Sequence, residues 1–317
     1  MSEFIPPDQN QWVNGINGDT LVRDAVRLTL QHQLNAVLHF LGLAAEKSSD
    51  DVEHVHHLRV SVRRMETALR VYRRALPKKE LCSILEKLKT IRRSAGEARD
   101  LDVFLEQVIG TDIEASNSLA ARIQHQRDKA QRRIARCFVN AFRMKGLKNL
   151  LCNMISRIQP NNESDSRFVG VWAKKRLRDA INRFYHALPS DINDLQSVHC
   201  FRIKTKELRY TVELLSAAYP KERTCSISPL VGNLQRRLGE INDRVVAISI
   251  LNKLRHRVSK RRDRIKLKHK HTRETNRLDR ALASFRKWWT HERQHEIFDS
   301  LRRLKRGTEL VSMIQNL

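Results

Sequence analysis

Cysteine is scarce in this chain and unsuited to either of its structural uses. Cys82, Cys137, Cys152, Cys200 and Cys225 are odd in number and form no CxxC pair. That pattern argues against a disulfide scaffold or a zinc ribbon and points to a reducing compartment. Seven prolines, ten glycines and 6% aromatics are too few for the turns and faces of a many-stranded sheet, so helices are expected. The longest apolar stretch, around Ala36–Ala45, is too short and too broken to span a bilayer. The first residues, MSEFIPPDQNQWV, have neither a basic nor an apolar region of the kind a secretory signal needs. These absences together lead us to expect a soluble cytoplasmic protein. Acid is the remaining shortage. Thirty-five Asp and Glu face sixty-one Lys and Arg, a net charge of +26, which strains a compact state unless an anionic partner relieves it. Nucleic acid, anionic lipid and phosphate polymers all fit that role on charge alone.

What the chain does have is internal repetition. Residues 55–77, VHHLRVSVRRMETALRVYRRALP, align with 198–220, VHCFRIKTKELRYTVELLSAAYP, at an offset of 143. Val55/Val198, His56/His199, Arg59/Arg202, Ala75/Ala218 and Pro77/Pro220 coincide. The same offset pairs CSI at 82–84 with CSI at 225–227, and GEARD at 96–100 with GEIND at 239–243. The chain therefore reads as a polar leader, 1–20, and then a tandem duplication over 21–310 whose copies span about 25–167 and 168–310. PNNESDSR, 160–167, is the expected linker.

Within each copy the apolar residues recur with a helical period. Helices are predicted at Val22–Leu43 and Phe168–Leu188, then at 55–76 and 198–219, the latter pair stopped by Pro77 and Pro220. Third helices at Glu80–Ser94 and Pro229–Leu238 are expected to close at Gly96 and Gly239, with Asp100 or Asp102 capping the next helix. A long charged helix near 112–140 and 252–285, and a last one near 144–158 and 287–306, complete the pattern. The fold class is all-α, two related bundles of the four-helix type.

Residues 55–77 hold six arginines and two histidines against one acid, Glu66. At ~100° per residue, with His56 at zero, Arg59 falls near ~300°, Arg63 near ~340° and Arg70 near ~320°. Leu58, Val62, Met65, Leu69, Tyr72 and Leu76 gather between ~160° and ~240°. His199, Arg202, Lys206 and Arg209 form the matching cationic stripe in the second copy. Aligned cations of this kind either solvate a helix face or hold an anion, and their recurrence in both copies favours the anion.

H-x-L-R-x-x-x-R-R-M in the first copy and H-x-x-R-I-x-x-K-x-L-R-Y in the second resemble the signature of the CHAD domain, the conserved histidine α-helical domain. GEARDLDV and GEINDRVV resemble that family's second signature region. The resemblance implies two four-helix bundles about a pseudo-twofold axis, with a basic groove or cavity between them that binds inorganic polyphosphate. It implies localisation to polyphosphate granules, with granule proteins as further partners. The implied polyphosphate-binding residues are His56, Arg59, Arg63, His199, Arg202, Lys206 and Arg209, to which the cationic stripe of the first copy adds Arg70. Glu66 and Glu207 stand where the family has bases, so each copy is expected to lack one cation, with Arg70 compensating beside Glu66.

Arginine suits such a site because its fork grips phosphate oxygens in pairs. His56 and His199 would gain a proton beside bound phosphate, or serve as hydrogen-bonded spacers between helices. No catalytic residue, metal or cofactor is implied, and the expected role is non-enzymatic. Asp100 and Asp102 could ligate a metal, but the second copy has Asp243 and Val245; a capping or arginine-orienting role is expected instead. The tract RHRVSKRRDRIKLKHKHTR, 255–273, reads either as a solvated helix or as an extra polyanion contact. Nucleic acid is the rival partner or a non-specific competitor, but no zinc-finger spacing, helix-turn-helix or aromatic stacking ladder supports it. A phosphotransfer histidine is the enzymatic rival, but Val60 and Ile203 stand where glycine would admit a docking partner. No Gly-rich phosphate loop or HExxH occurs.

Overall fold

A computed structural model describes residues 12–314 apart from 14, 47–50, 52, 107–116, 159–166, 220–226, 257 and 259–260. The linker at 160–166, Pro220 and most of the leader therefore lie outside the described residues. The rest is all-α: α1 Val22–Glu46, α2 Glu53–Val71, α3 Lys78–Phe104, α4 Asn117–Ala141, α5 Leu147–Ser156, α6 Val169–Tyr185, α7 Leu195–Leu215, α8 Ile227–Arg255, α9 Arg261–Trp288 and α10 His291–Ile314. No described helix is long and apolar enough to cross a membrane. Single 3₁₀ turns at Arg73–Ala75 and Ser216–Ala218 come after α2 and α7, and they stand at the same offset of 143 as the sequence motifs.

The chain divides into two compact units, residues 1–106 with 120–172, and 107–119 with 173–317. In the first, α2 packs against α1 on one side and α3 on the other. Val55, Leu58, Val62, Met65 and Leu69 of α2 are all fully buried, three or four residues apart, so one stripe of the helix makes the core contact. Leu30, Leu34, Val37 and Leu41 of α1 answer with the same spacing, and Ile84, Leu88 and Ile91 do so on α3. In the second unit α7 packs on α8, and α8 on α9. Phe201, Leu208 and Leu215 meet a core that includes Val231, Leu234 and Leu238. Asp194 caps α7 by accepting a bond from the Gln196 amide at 3.0 Å, satisfying a donor that the first helical turn leaves unpaired.

The third helices do not close at their glycines. α3 runs through Gly96 to Phe104, and α8 through Gly239 to Arg255. Neither glycine adopts the left-handed conformation; among the described residues Gly15, at φ 83, is the glycine that does. The apolar stripe explains the continuation, since Ala98, Leu101 and Phe104 extend it beyond Gly96, and Ile241, Ala247, Leu251 and Leu254 extend it beyond Gly239. Asp100 and Asp102 consequently lie inside α3 and cap nothing.

Candidate functional site

The cationic face of the first unit is assembled where α2 lies against α3. Arg59 reaches across, donating from Nη1 to the Gly96 carbonyl at 3.0 Å and to Asp100 Oδ1 at 3.2 Å. One end of the contact is closed by Arg99 Nη1 on Glu53 Oε1 at 2.9 Å, the other by Arg92 Nε on Glu66 Oε1 at 3.0 Å. As residue numbers rise from 53 to 66 on α2, their partners fall from 99 to 92 on α3. The two helices are thus antiparallel, with a register fixed by three arginine–carboxylate pairs.

Glu66 was expected to subtract a cation from the exposed stripe. It is instead buried and faces α3, where Arg92 holds it. Arg70 is solvent-facing, with no carboxylate within ion-pair distance among the described residues. Arg63 is half-buried, and the Arg64 guanidinium lies 5.6 Å from the Trp12 ring centre.

His56 is exposed one turn before Arg59. Its imidazole is held below its ordinary value, first by partial desolvation against the helix pair and then by the Arg99 guanidinium, with Glu53 pulling the other way. His57 is lowered too, by burial, against the opposing pull of Glu53 and Asp51. His57 stacks obliquely on Phe40 of α1, their ring centres 5.4 Å apart. The resting imidazoles are therefore poised on the neutral side.

In the second unit the corresponding contact is between α7 and α8, with a different chemistry. His199 Nδ1 lies 3.0 Å from Asn242 Oδ1, and Asn242 stands at the offset position of Arg99. An amide thus replaces the guanidinium beside the second histidine. Arg202 was expected on the open stripe but is buried, at 8% exposure. Its position borders the apolar stripe, and Phe201 and Thr205 on either side are wholly buried. Asp243, the offset mate of Asp100, is exposed with no cation within ion-pair distance among the described residues, so it orients no arginine. Lys206 is half-buried, and Arg209 donates from Nε to Glu213 Oε1 at 2.7 Å one turn along. Glu207 sits between Arg183 of α6, 3.0 Å away, and Lys204, 2.9 Å away. It neutralises a local pair of bases.

Sequence reasoning missed Arg92 and Arg99, which lie on the partner helix. Only the GEARD segment hinted at Arg99. It also missed the ties of the long helices. Arg127 of α4 bonds Asp102 at 2.5 Å, both side chains 7% exposed, which gives Asp102 a structural partner. Glu274 of α9, 1% exposed, accepts from Arg244 at 3.1 Å and Arg277 at 2.6 Å. Among the described residues no three His, Cys, Asp or Glu side chains converge as metal ligands.

A family model for the CHAD domain matches residues 29–252. The chain belongs to the CHAD domain family. Among solved structures, the CHAD domain from the plant Ricinus communis superposes with a TM-score of 0.70 at 19% identity, covering 93% of this chain and 96% of that one. PptA from Streptomyces chartreusis gives a TM-score of 0.54 at 17% identity, covering 85% of this chain and 99% of that one. At these identities the likeness is one of fold. No curated protein matches by sequence. The matched span takes in both motif helices of this CHAD protein and stops before α9.

Proposed function

We propose that this CHAD protein binds inorganic polyphosphate without turning it over, along the cationic faces carried by α2 with α3 and by α7 with α8, and that polyphosphate carries it into granules. The observation that bears most of the weight is the recurrence of one His, Arg and basic spacing on two helices, each braced against the next helix by polar pairs. Polyphosphate presents a charge at each unit and no bases to read, so a row of forked or flexible cations suffices for it. Arg70, open to solvent, and Arg63, Lys206 and Arg209, part-exposed, are the groups that meet phosphate oxygens. Arg59 is pre-oriented by Gly96 and Asp100 and contributes a fixed charge. Arg202 supports the second face from beneath. His56 accepts a proton as the chain binds, because an adjacent anion favours the charged imidazole.

Calorimetric titration with polyphosphate of defined length tests this, comparing the native protein with Arg63→Gln/Arg70→Gln/Lys206→Gln/Arg209→Gln. Arg59 and Arg202 are left intact because one braces α3 and the other is buried. The fourfold variant is expected to bind at least about tenfold more weakly, given ~1.5–3 kcal/mol for a hydrogen bond to a charged group, with its helicity unchanged. Equal affinity would refute the assignment of the face. Duplex DNA displacing polyphosphate at equal charge concentration would refute the assignment of the ligand. Orthophosphate released from the mixture would refute the non-catalytic role.

A further inference from the structure

The other large concentration of charge lies on α9, beyond the residues that match the family. At about 100° per residue, Arg261, Arg262, Lys268, Arg273 and Arg280 occupy one sector of roughly 140°, together with His269. Among the described residues, the single acid on that sector is Asp279, near its edge. All six bases are exposed. None has a carboxylate within ion-pair distance among the described residues, and Arg280 bonds only the Asn276 carbonyl of its own helix, at 3.3 Å.

This contrasts with the inner side of the same helix. There Arg277 is committed to Glu274, which also takes Arg244 from α8. Leu267, Leu278 and Phe285 fill the core on that side. The helix thus spends its acid where it packs and leaves its cations bare where it faces water. A shallow hollow of ≈ 530 Å³ runs along the bare side, lined among the described residues by Ile265, Lys268, His269, Arg273 and Arg280 with Thr272 and Asn276. From Arg261 to Arg280 the row extends about 28 Å, at a rise of ~1.5 Å per residue.

We infer that the outward face of α9 is a second polyphosphate-contact surface, distinct from the α7 face of the same unit. The inference rests on the function proposed above and adds a place where a long chain gains further contacts. Five permanent cations against one acid carry a self-repulsion that an external polyanion removes. Thr272 and Asn276 supply neutral hydrogen bonds between the charges. No Phe, Tyr or Trp stands on the sector as a stacking platform for bases, as single-stranded nucleic acid would require, and the apolar contribution is confined to Ile265.

The test measures affinity for long-chain polyphosphate over a series of salt concentrations. It compares the native protein, Lys268→Gln/Arg273→Gln/Arg280→Gln, and a control, Lys78→Gln/Lys79→Gln/Lys145→Gln. The control residues are equally exposed and equally free of carboxylates among the described residues, but lie on α3 and the turn after α4. Each phosphate contact contributes ~0.7 to the slope of log affinity against log salt for a single strand. The α9 variant is therefore expected to flatten that slope by about 2, and the control to leave it near the native value. An α9 variant as steep as the native protein, or a control flattened equally, overturns this surface while leaving the proposed function standing. A native protein that does not bind polyphosphate removes both.

Discussion

The Arg127–Asp102 pair offers the sharpest test of how the first unit is held together. Asp102 Oδ1 accepts from Arg127 Nε, and Asp102 Oδ2 is buried with no hydrogen-bond partner. Arg127 also donates from Nη1 to Gln131 Oε1 at 2.9 Å. Gln131 in turn donates to the Ala44 and Ala45 carbonyls at 2.7 and 3.1 Å, groups that the last turn of α1 cannot satisfy itself. Arg127→Met keeps most of the apolar bulk but strands a buried carboxylate, which typically costs about 3–5 kcal/mol. Burial already lifts Asp102 above its ordinary value of 3.8, outweighing the pull of Arg127. With a raised folded value, the native state keeps a proton that the unfolded chain releases. Stability tied to Asp102 is therefore full in acid and declines as pH rises from 3.8 through the folded value. Removing Arg127 extends that window upward, so the loss should be larger at about pH 8 than at about pH 5. Arg127→Met/Asp102→Leu, with no stranded charge, should recover most of it. Hydrogen exchange over α3 and α4 reads the local opening energy directly, which suits a chain of two compact units. A single variant within about 1 kcal/mol of native at about pH 8 would refute the reasoning, as would a double variant no better than the single.

Further outcomes concern the histidines of α2 and the turn into α5. The lowered His56 and His57 imidazoles mean that the unfolded chain binds more protons between their folded values and 6.5, so their contribution is full above 6.5 and fades on acidification. Bound polyphosphate should reverse this by favouring the charged imidazoles, which then take up protons near their ordinary value of about 6.5, seen as binding heats that depend on buffer ionisation. Arg99→Gln should raise the His56 titration midpoint by NMR, and an unmoved midpoint would exclude Arg99 as a cause. At the turn into α5, a Cβ on Gly146 would sit 2.6 Å from the Asn140 carbonyl and closer still to that of Ala141. Gly146→Ala should therefore cost about 1–3 kcal/mol, visible as a lower Tm, and an unchanged Tm would show that the turn yields freely.

The apolar stripes of α1, α2 and α7 were legible in the sequence because helical period and burial are the same fact seen twice. The ends of α3 and α8 were not. Glycine permits a left-handed stop without compelling one, and the buried residues after Gly96 and Gly239 decided the matter. Glu66 and Glu207 show a second limit. On a single helix an acid among bases looks like a missing cation. Only the neighbouring helix reveals that Arg92 and Arg183 are its counter-ions, across 26 and 24 residues of chain. Arg202 shows a third, since a residue at the border of two stripes goes inward or outward according to what packs beside it.

These pairings alter how the motif helices would hold a polyanion. Arg59, Arg92 and Arg99 are each already bonded to a carboxylate of the α2–α3 contact. A phosphate that engaged them would have to displace Asp100, Glu66 or Glu53, and buried Glu66 would be left without its partner. Exchange of that kind returns little net free energy, because one charge-assisted bond replaces another. The uncommitted cations return more, since their only competitors are water and salt ions. On α2 that group is Arg70, and on α9 it is the whole outward row. Arg59, Arg92 and Arg99 would then fix the shape and orientation of the face, while the cations open to solvent set how tightly a long chain is held.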